Sequence, residues 1–182
     1  HSMIALGLLA KYPELRERLG GEECAQFPLE RVRVIGFTGR ESDAPLGIWG
    51  TLAEQLGKKE LFKDYYAPLA APGQSAWVNL LKGEPLLILL DELPPYFENA
   101  RAKTIGDSNL AKVTTTALAN LLVAVGKAEL DNVCVVISDL KATYQEGSEH
   151  ISRALSYLEE EVNRSALRLE PVGMNTDEVY HI

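Results

Sequence analysis

Apolar residues recur along this chain in two rhythms. Ile48, Trp49, Leu52 and Leu56 fall on one helical face, and Leu110, Val113, Ala117, Leu118, Leu121, Leu122 and Val125 on a longer one, which predicts amphipathic helices. Gly57 suits the position just past the end of the first, because glycine accepts the left-handed backbone that closes a helix. Pro85–Leu90 and Val133–Ile137 are instead short, uninterrupted apolar runs. Periodicity alone does not separate strand from helix there, so length decides. Gly83 and Pro85 bound the first run on one side and Pro94-Pro95 on the other, and both runs read as strands buried on two faces. Arg31–Phe37, with its β-branched residues and partial alternation, predicts a further strand.

The remaining pattern fills in around these elements. Ser2–Lys11 is apolar on most sides and predicts a buried helix, ended at Tyr12-Pro13. Leu61–Tyr66 and Gln74–Leu81 read as short helices, and Asp107-Ser108 offers an N-cap for the long helix. Thr143 and Glu146 have capping-box spacing ahead of a helical face at Ile151, Leu155, Leu158 and Val162, and Ala166–Val172 reads as a last strand. Two apolar strands joined by a long helix form a βαβ unit. The fold class expected is therefore α/β with a mostly parallel sheet, one domain over residues 1–182 with a helical insert over residues 38–84.

Composition narrows the class. The 182 residues are 46% hydrophobic and 24% charged, which excludes a disordered tail and leaves enough chain for one sizeable core. Eighteen basic against 26 acidic residues give a net charge of −8, which opposes general binding to a phosphate backbone. Cys24 and Cys134 are too few for a disulfide framework or a metal-ligand spacing, which points to a reducing, cytoplasmic compartment. No apolar stretch approaches a membrane span, and Met3–Ala10 lacks the basic lead-in of a signal peptide. Both ends look cut. The chain opens on His1, already in helical pattern, and closes on Thr176-Asp177-Glu178-Val179, an N-cap and first turn with little helix after it.

Ligands of an open parallel sheet gather at the carboxyl ends of its strands. Asp91 and Glu92 follow the first apolar run, and Ser138 and Asp139 the second. If the two strands are neighbours, all four residues share one rim. An apolar strand ending in Asp-Glu has the form of a Walker B segment. The strand tip fixes an Asp that holds Mg²⁺, and the next carboxylate orients the water that attacks a γ-phosphate. Ser138, on the adjacent tip, is then suited to sense that phosphate.

No phosphate cradle is visible. Gly57-Lys58 fails as one, since Lys59 stands where Ser or Thr is required and a helix precedes it. Ser75 lacks the final glycine of a nucleophile elbow and reads as a helix cap. The three histidines are scattered, and Trp49, Trp77, Tyr65 and Tyr66 read as core.

His1-Ser2-Met3-Ile4-Ala5-Leu6, Leu86–Pro94 and Val135–Leu140 resemble the domain-of-unknown-function 499 family, large prokaryotic ATPases of the AAA+/P-loop class. Trp49, Thr51-Leu52-Ala53, Gln55-Leu56-Gly57, Pro171-Val172 and the terminal Thr-Asp-Glu-Val also resemble that family. The resemblance implies a three-layer P-loop NTPase-like core of AAA+ type, lacking here its first strand and phosphate loop. A Gly-Lys-Thr-His run leads into the first helix in that family, which makes His1 the residue after the loop. The resemblance implies ATP and Mg²⁺ as cofactors of the full-length protein. It assigns Asp91 to the metal, Glu92 to water activation and Ser138 to sensing, with His1, Ser2 and Asp139 beside the nucleotide. It also implies a homo-oligomer with a trans-acting arginine, for which Arg153, Arg164 and Arg168 are candidates, and a DNA-linked role in phage-defence clusters. A helicase-type motor and a non-catalytic α/β scaffold are the alternatives. Ser138-Asp139-Leu140 does not match the Ser-Ala-Thr of helicases.

Overall fold

The computed structural model describes residues 7–9, 11–12, 14–15, 32–40, 43–138 and 153. Three strands form a parallel sheet: β1 (Arg33–Thr38), β2 (Leu86–Asp91) and a third at Val133–Ile137. The β2 strand lies in the middle, with Ile35 opposite Ile88 and Ile88 opposite Val135. This agrees with the expected α/β class and mostly parallel sheet. The two apolar runs are neighbours, as the βαβ reading requires.

Between β1 and β2 the chain makes helix α1 (Gly47–Gln55), a 3₁₀ segment at Lys59–Tyr65 and helix α2 (Gln74–Leu81). Gly57 does follow the end of α1, at φ 70°. The α2 cap is Gly73 rather than Ser75, which sits inside the first turn. After β2 come α3 (Leu93–Arg101), a two-stranded hairpin of β3 (Thr104–Ile105) and β4 (Ser108–Asn109), and the long helix α4 (Leu110–Val125). The Val133–Ile137 strand is thus β5.

Two expectations need correction here. Pro94-Pro95 does not simply bound the strand, because the prolines stand in the first turn of α3, where a missing N–H costs nothing and a fixed φ favours the helix. The α4 cap is Asn109, whose side chain accepts from Lys112 N at 3.0 Å, rather than Asp107-Ser108. Asp107 lies in the hairpin turn beside Gly106, which has φ 55°.

One sheet face carries Ile35, Phe37, Leu86, Ile88, Leu90 and Val133, all buried under α1 to α4. Trp49 and Trp77 are fully buried in that core, with Tyr65 and Tyr66 packed against it. Trp77 meets Phe62 edge to face at 5.2 Å and donates from Nε1 to Ala117 O at 3.0 Å. On the opposite face, helical Gly7 stands against Val34 and Leu89. A Cβ there would lie 3.5 Å from Leu89 Cδ1 and 3.8 Å from Val34 Cγ1.

The β5 strand is less enclosed than a strand buried on both faces. Cys134 is a free, exposed thiol, and Val135 to Ile137 are half-buried. Its position explains this, since β5 is an outer strand of the sheet among the described residues. The other outer strand, β1, is closed by a side chain. Gln55 accepts from Gly36 N at 2.9 Å and donates to Gly36 O at 2.7 Å, standing in for a neighbouring strand. The expected elements at 143–146, 151–162 and 166–172, and most of the Ser2–Lys11 helix, lie outside the described residues; Gly7–Leu9 and Lys11 are helical. Among the described residues no helix is long and apolar enough to cross a membrane.

Candidate functional site

The carboxyl rim of the sheet is built by strand register. Thr38 ends β1 directly opposite Asp91, the last residue of β2. Ser138 follows β5 and extends its ladder by one bond, donating from its backbone N to Leu90 O at 3.0 Å. Side chains alternate along a strand, so the tips of three parallel strands bring Thr38, Asp91 and Ser138 to the same edge. The apolar run behind Asp91 is what fixes it there, with Leu86, Ile88 and Leu90 wholly buried.

Ser138 Oγ donates a hydrogen bond to Asp91 Oδ1 and accepts from Glu92 N at 3.3 Å. One hydroxyl therefore ties the tip of β5 to both acidic residues of β2. No hydrogen bond among the described residues reaches Asp91 Oδ2.

Glu92 turns the chain. Its backbone is left-handed, at φ 49° and ψ 42°, and it caps α3 without a side-chain hydrogen bond. A non-glycine residue in that region marks a backbone held by its surroundings. Gly39 is part of that hold. It donates to Asp91 O at 2.9 Å, and a Cβ there would stand 2.3 Å from Glu92 O and 3.0 Å from Leu93 Cα. Only glycine lets β1 pass the turn so closely. Next to it, Arg40 Nε meets Glu92 Oε2 at 3.0 Å, with the glutamate side chain 27% exposed and the arginine 56%. The two carboxylates thus diverge, Asp91 toward β5 and Glu92 toward the end of β1.

Beneath the turn lies Tyr96 of α3, edge to face with Phe37 at 5.4 Å and with its hydroxyl 3.4 Å from Thr114 Oγ1. Burial pushes its phenol above the ordinary value, against a smaller opposing effect of the Thr114 contact. No group of three or more His, Cys, Asp or Glu side chains able to hold a metal occurs among the described residues. Among the described residues, what the rim offers a divalent cation is the Asp91 carboxylate, with Thr38 opposite it.

Of the residues singled out in the sequence, Asp91, Glu92 and Ser138 are brought together. Asp139, His1 and Ser2 lie outside the described residues, as do Arg164 and Arg168. Arg153 lines a shallow cavity of about 150 Å³ with Lys112, Thr115 and Thr116. Lys58 is occupied elsewhere, donating to Leu80 O at 2.7 Å at the end of α2, so the Gly57-Lys58 pair caps a helix and is no phosphate loop. Thr38, Gly39 and Arg40 were not anticipated. Extending the strand-end rule to the first strand as well as the two apolar ones would have found them.

A family model described as the DUF499 N-terminal domain matches residues 41–172, which include Asp91, Glu92 and Ser138. No curated protein and no solved structure matches the chain.

Proposed function

The chain belongs to the DUF499 family through its N-terminal domain, and from that premise we propose that it is part of a P-loop ATPase core of AAA+ type, which in the full-length protein binds and hydrolyses ATP with Mg²⁺. The observation that carries this reading is the bond between Ser138 and Asp91 at the tips of adjacent parallel strands. A solvated strand end needs no such bond. A metal-side carboxylate does, because its oxygens must be held still in a defined orientation.

The donor set suits the ion. Mg²⁺ takes one or two protein carboxylates, completes its shell with water and substrate phosphates, and seldom occupies an all-protein cage. Asp91 supplies that carboxylate and keeps Oδ2 clear of other bonds among the described residues. When bound, the ion neutralises charge on the transferring phosphoryl group. The chain's own residues do the rest. Ser138 fixes Asp91 and, through its contact with Glu92 N, the turn that carries the second carboxylate. Glu92 is the residue that orients the attacking water. The phosphate cradle and the DNA-linked, phage-defence setting belong to the same proposal and rest on the family alone.

Titration of the full-length protein with ATP tests the reading. ATP should bind with Mg²⁺ present and weaken at least tenfold, on the order of one 1.4 kcal/mol step, when Mg²⁺ is chelated. In Asp91→Asn the affinity should no longer respond to Mg²⁺. A full-length protein that binds no ATP would leave the α/β scaffold reading in its place.

A further inference from the structure

We propose that Tyr96 and Thr114 are positioning residues for Glu92: their buried hydroxyls meet between α3 and α4, and the bond sets the first turn of α3, and with it the second carboxylate, in place at the rim. The inference rests on the proposed role of Glu92. It begins from a run of three threonines in α4. Thr115 donates to Ala111 O at 2.9 Å and Thr116 to Lys112 O at 3.2 Å, each one turn back along its own helix. Thr114, wholly buried, instead meets the Tyr96 hydroxyl at 3.4 Å. Among the described residues no other hydrogen bond reaches either hydroxyl.

Tyr96 in turn backs the bend at Glu92. It lies one helical turn past Glu92, and its ring meets Phe37 edge to face. The point that a Cβ on Gly39 would occupy is 3.0 Å from both Leu93 Cα and Tyr96 Cβ. An apolar pair would pack between the helices as well, since Phe and Val bury no hydroxyl and need no partner. What the polar pair adds is alignment. If α3 slid or rotated on α4, two buried hydroxyls would lose their partner and meet the full desolvation penalty. The observed alignment is thereby favoured over its neighbours, and a carboxylate that orients water depends on such alignment. Asp91 does not share this dependence, because Ser138 holds it from β5.

Steady-state hydrolysis and ATP titration of the full-length protein test the pair. Tyr96→Phe, Thr114→Val and the double variant should each lower kcat about three- to tenfold, short of the roughly hundredfold that a misplacement of about 1 Å can cost. The double variant should be no slower than either single one, because the same bond is lost in all three. Affinity for ATP with Mg²⁺ should hold. Thr114→Ser, which keeps the hydroxyl, should stay near the wild-type kcat. The double variant leaves no hydroxyl unpaired, so its stability in urea should stay near that of wild type, which separates lost turnover from lost fold. In a Glu92→Gln background, Tyr96→Phe should slow the residual turnover no further, since the pair acts through Glu92. A double variant with wild-type kcat, a kcat that falls only as the folded fraction falls, or a Tyr96→Phe effect that persists in full in the Glu92→Gln background overturns the positioning role. Glu92→Gln alone separates the two claims. If it hydrolyses like wild type, the role of Glu92 falls and the pair's with it. If it is slow while the Tyr96 and Thr114 variants match wild type, only the positioning role falls.

Discussion

Ser138 and Asp91 stand 47 residues apart and share one hydrogen bond at the tips of two neighbouring strands. The serine hydroxyl also accepts from the backbone of Glu92, so one side chain holds both the orientation of an acid and the start of the turn behind it. Ser138→Ala should cost about 1 kcal/mol of stability, the ordinary worth of a half-exposed hydrogen bond, while lowering ATP turnover far more than that. Urea denaturation and kcat measured on the same variant test this. A turnover that follows only the stability loss would make the serine a structural residue.

Gly39 should tolerate no side chain. The Cβ of Gly39→Ala would meet backbone atoms of Glu92 and Leu93, which cannot swing aside as a side chain can. A loss of about 2–3 kcal/mol is expected, in the range of overpacked sites, together with altered geometry at Glu92. Thermal denaturation checks it, and a change within about 0.5 kcal/mol, the scale of an ordinary surface substitution, would mean the turn is looser than described.

Much of this fold was legible because burial writes itself into spacing. The seven apolar positions of α4 follow directly from periodicity, and the two uninterrupted strands from the shortness of their apolar runs. Asp91, Glu92 and Ser138 were legible for the same reason, as the first polar residues after buried runs. The α3 helix was not, because Pro94-Pro95 signals a break when read locally and a first turn only when the strand before it is known to stop at Asp91. Nor was Arg40. An exposed arginine is common in any sequence, and its partner is set by the left-handed turn at Glu92, which no residue pattern announces.

Gln55 predicts behaviour at the β1 edge of the sheet as it stands among the described residues. Its amide pairs with both polar groups of Gly36, so Gln55→Leu should leave them open to another chain. The expected result is a loss of about 1 kcal/mol and self-association that grows with concentration, read by sedimentation. A variant whose association state and stability both match the wild type would show that Gln55 is not needed at the edge.

Alkaline stability should depend on Tyr96. Burial raises its folded-state value above the ordinary 10.0, so the unfolded chain loses its proton first as pH rises. The unfolded state then binds fewer protons, and stability falls with increasing pH. The contribution is whole below pH 10.0 and is lost as pH climbs through the folded value. Tyr96→Phe should flatten that decline in chemical denaturation at pH 9 to 11, an interval of about one unit either side of the phenol's ordinary value. An equally steep decline in the variant would assign it to other groups.

The account turns on Asp91 and Glu92 serving one nucleotide, and a single substitution reads that most directly. Glu92→Gln keeps the shape of the side chain and removes the charge that orients water. In the full-length protein with Mg²⁺, the variant should bind ATP as tightly as wild type while its turnover falls by about two orders of magnitude, in line with loss of a positioned acid–base group. Turnover equal to wild type, with ATP bound normally, would contradict it.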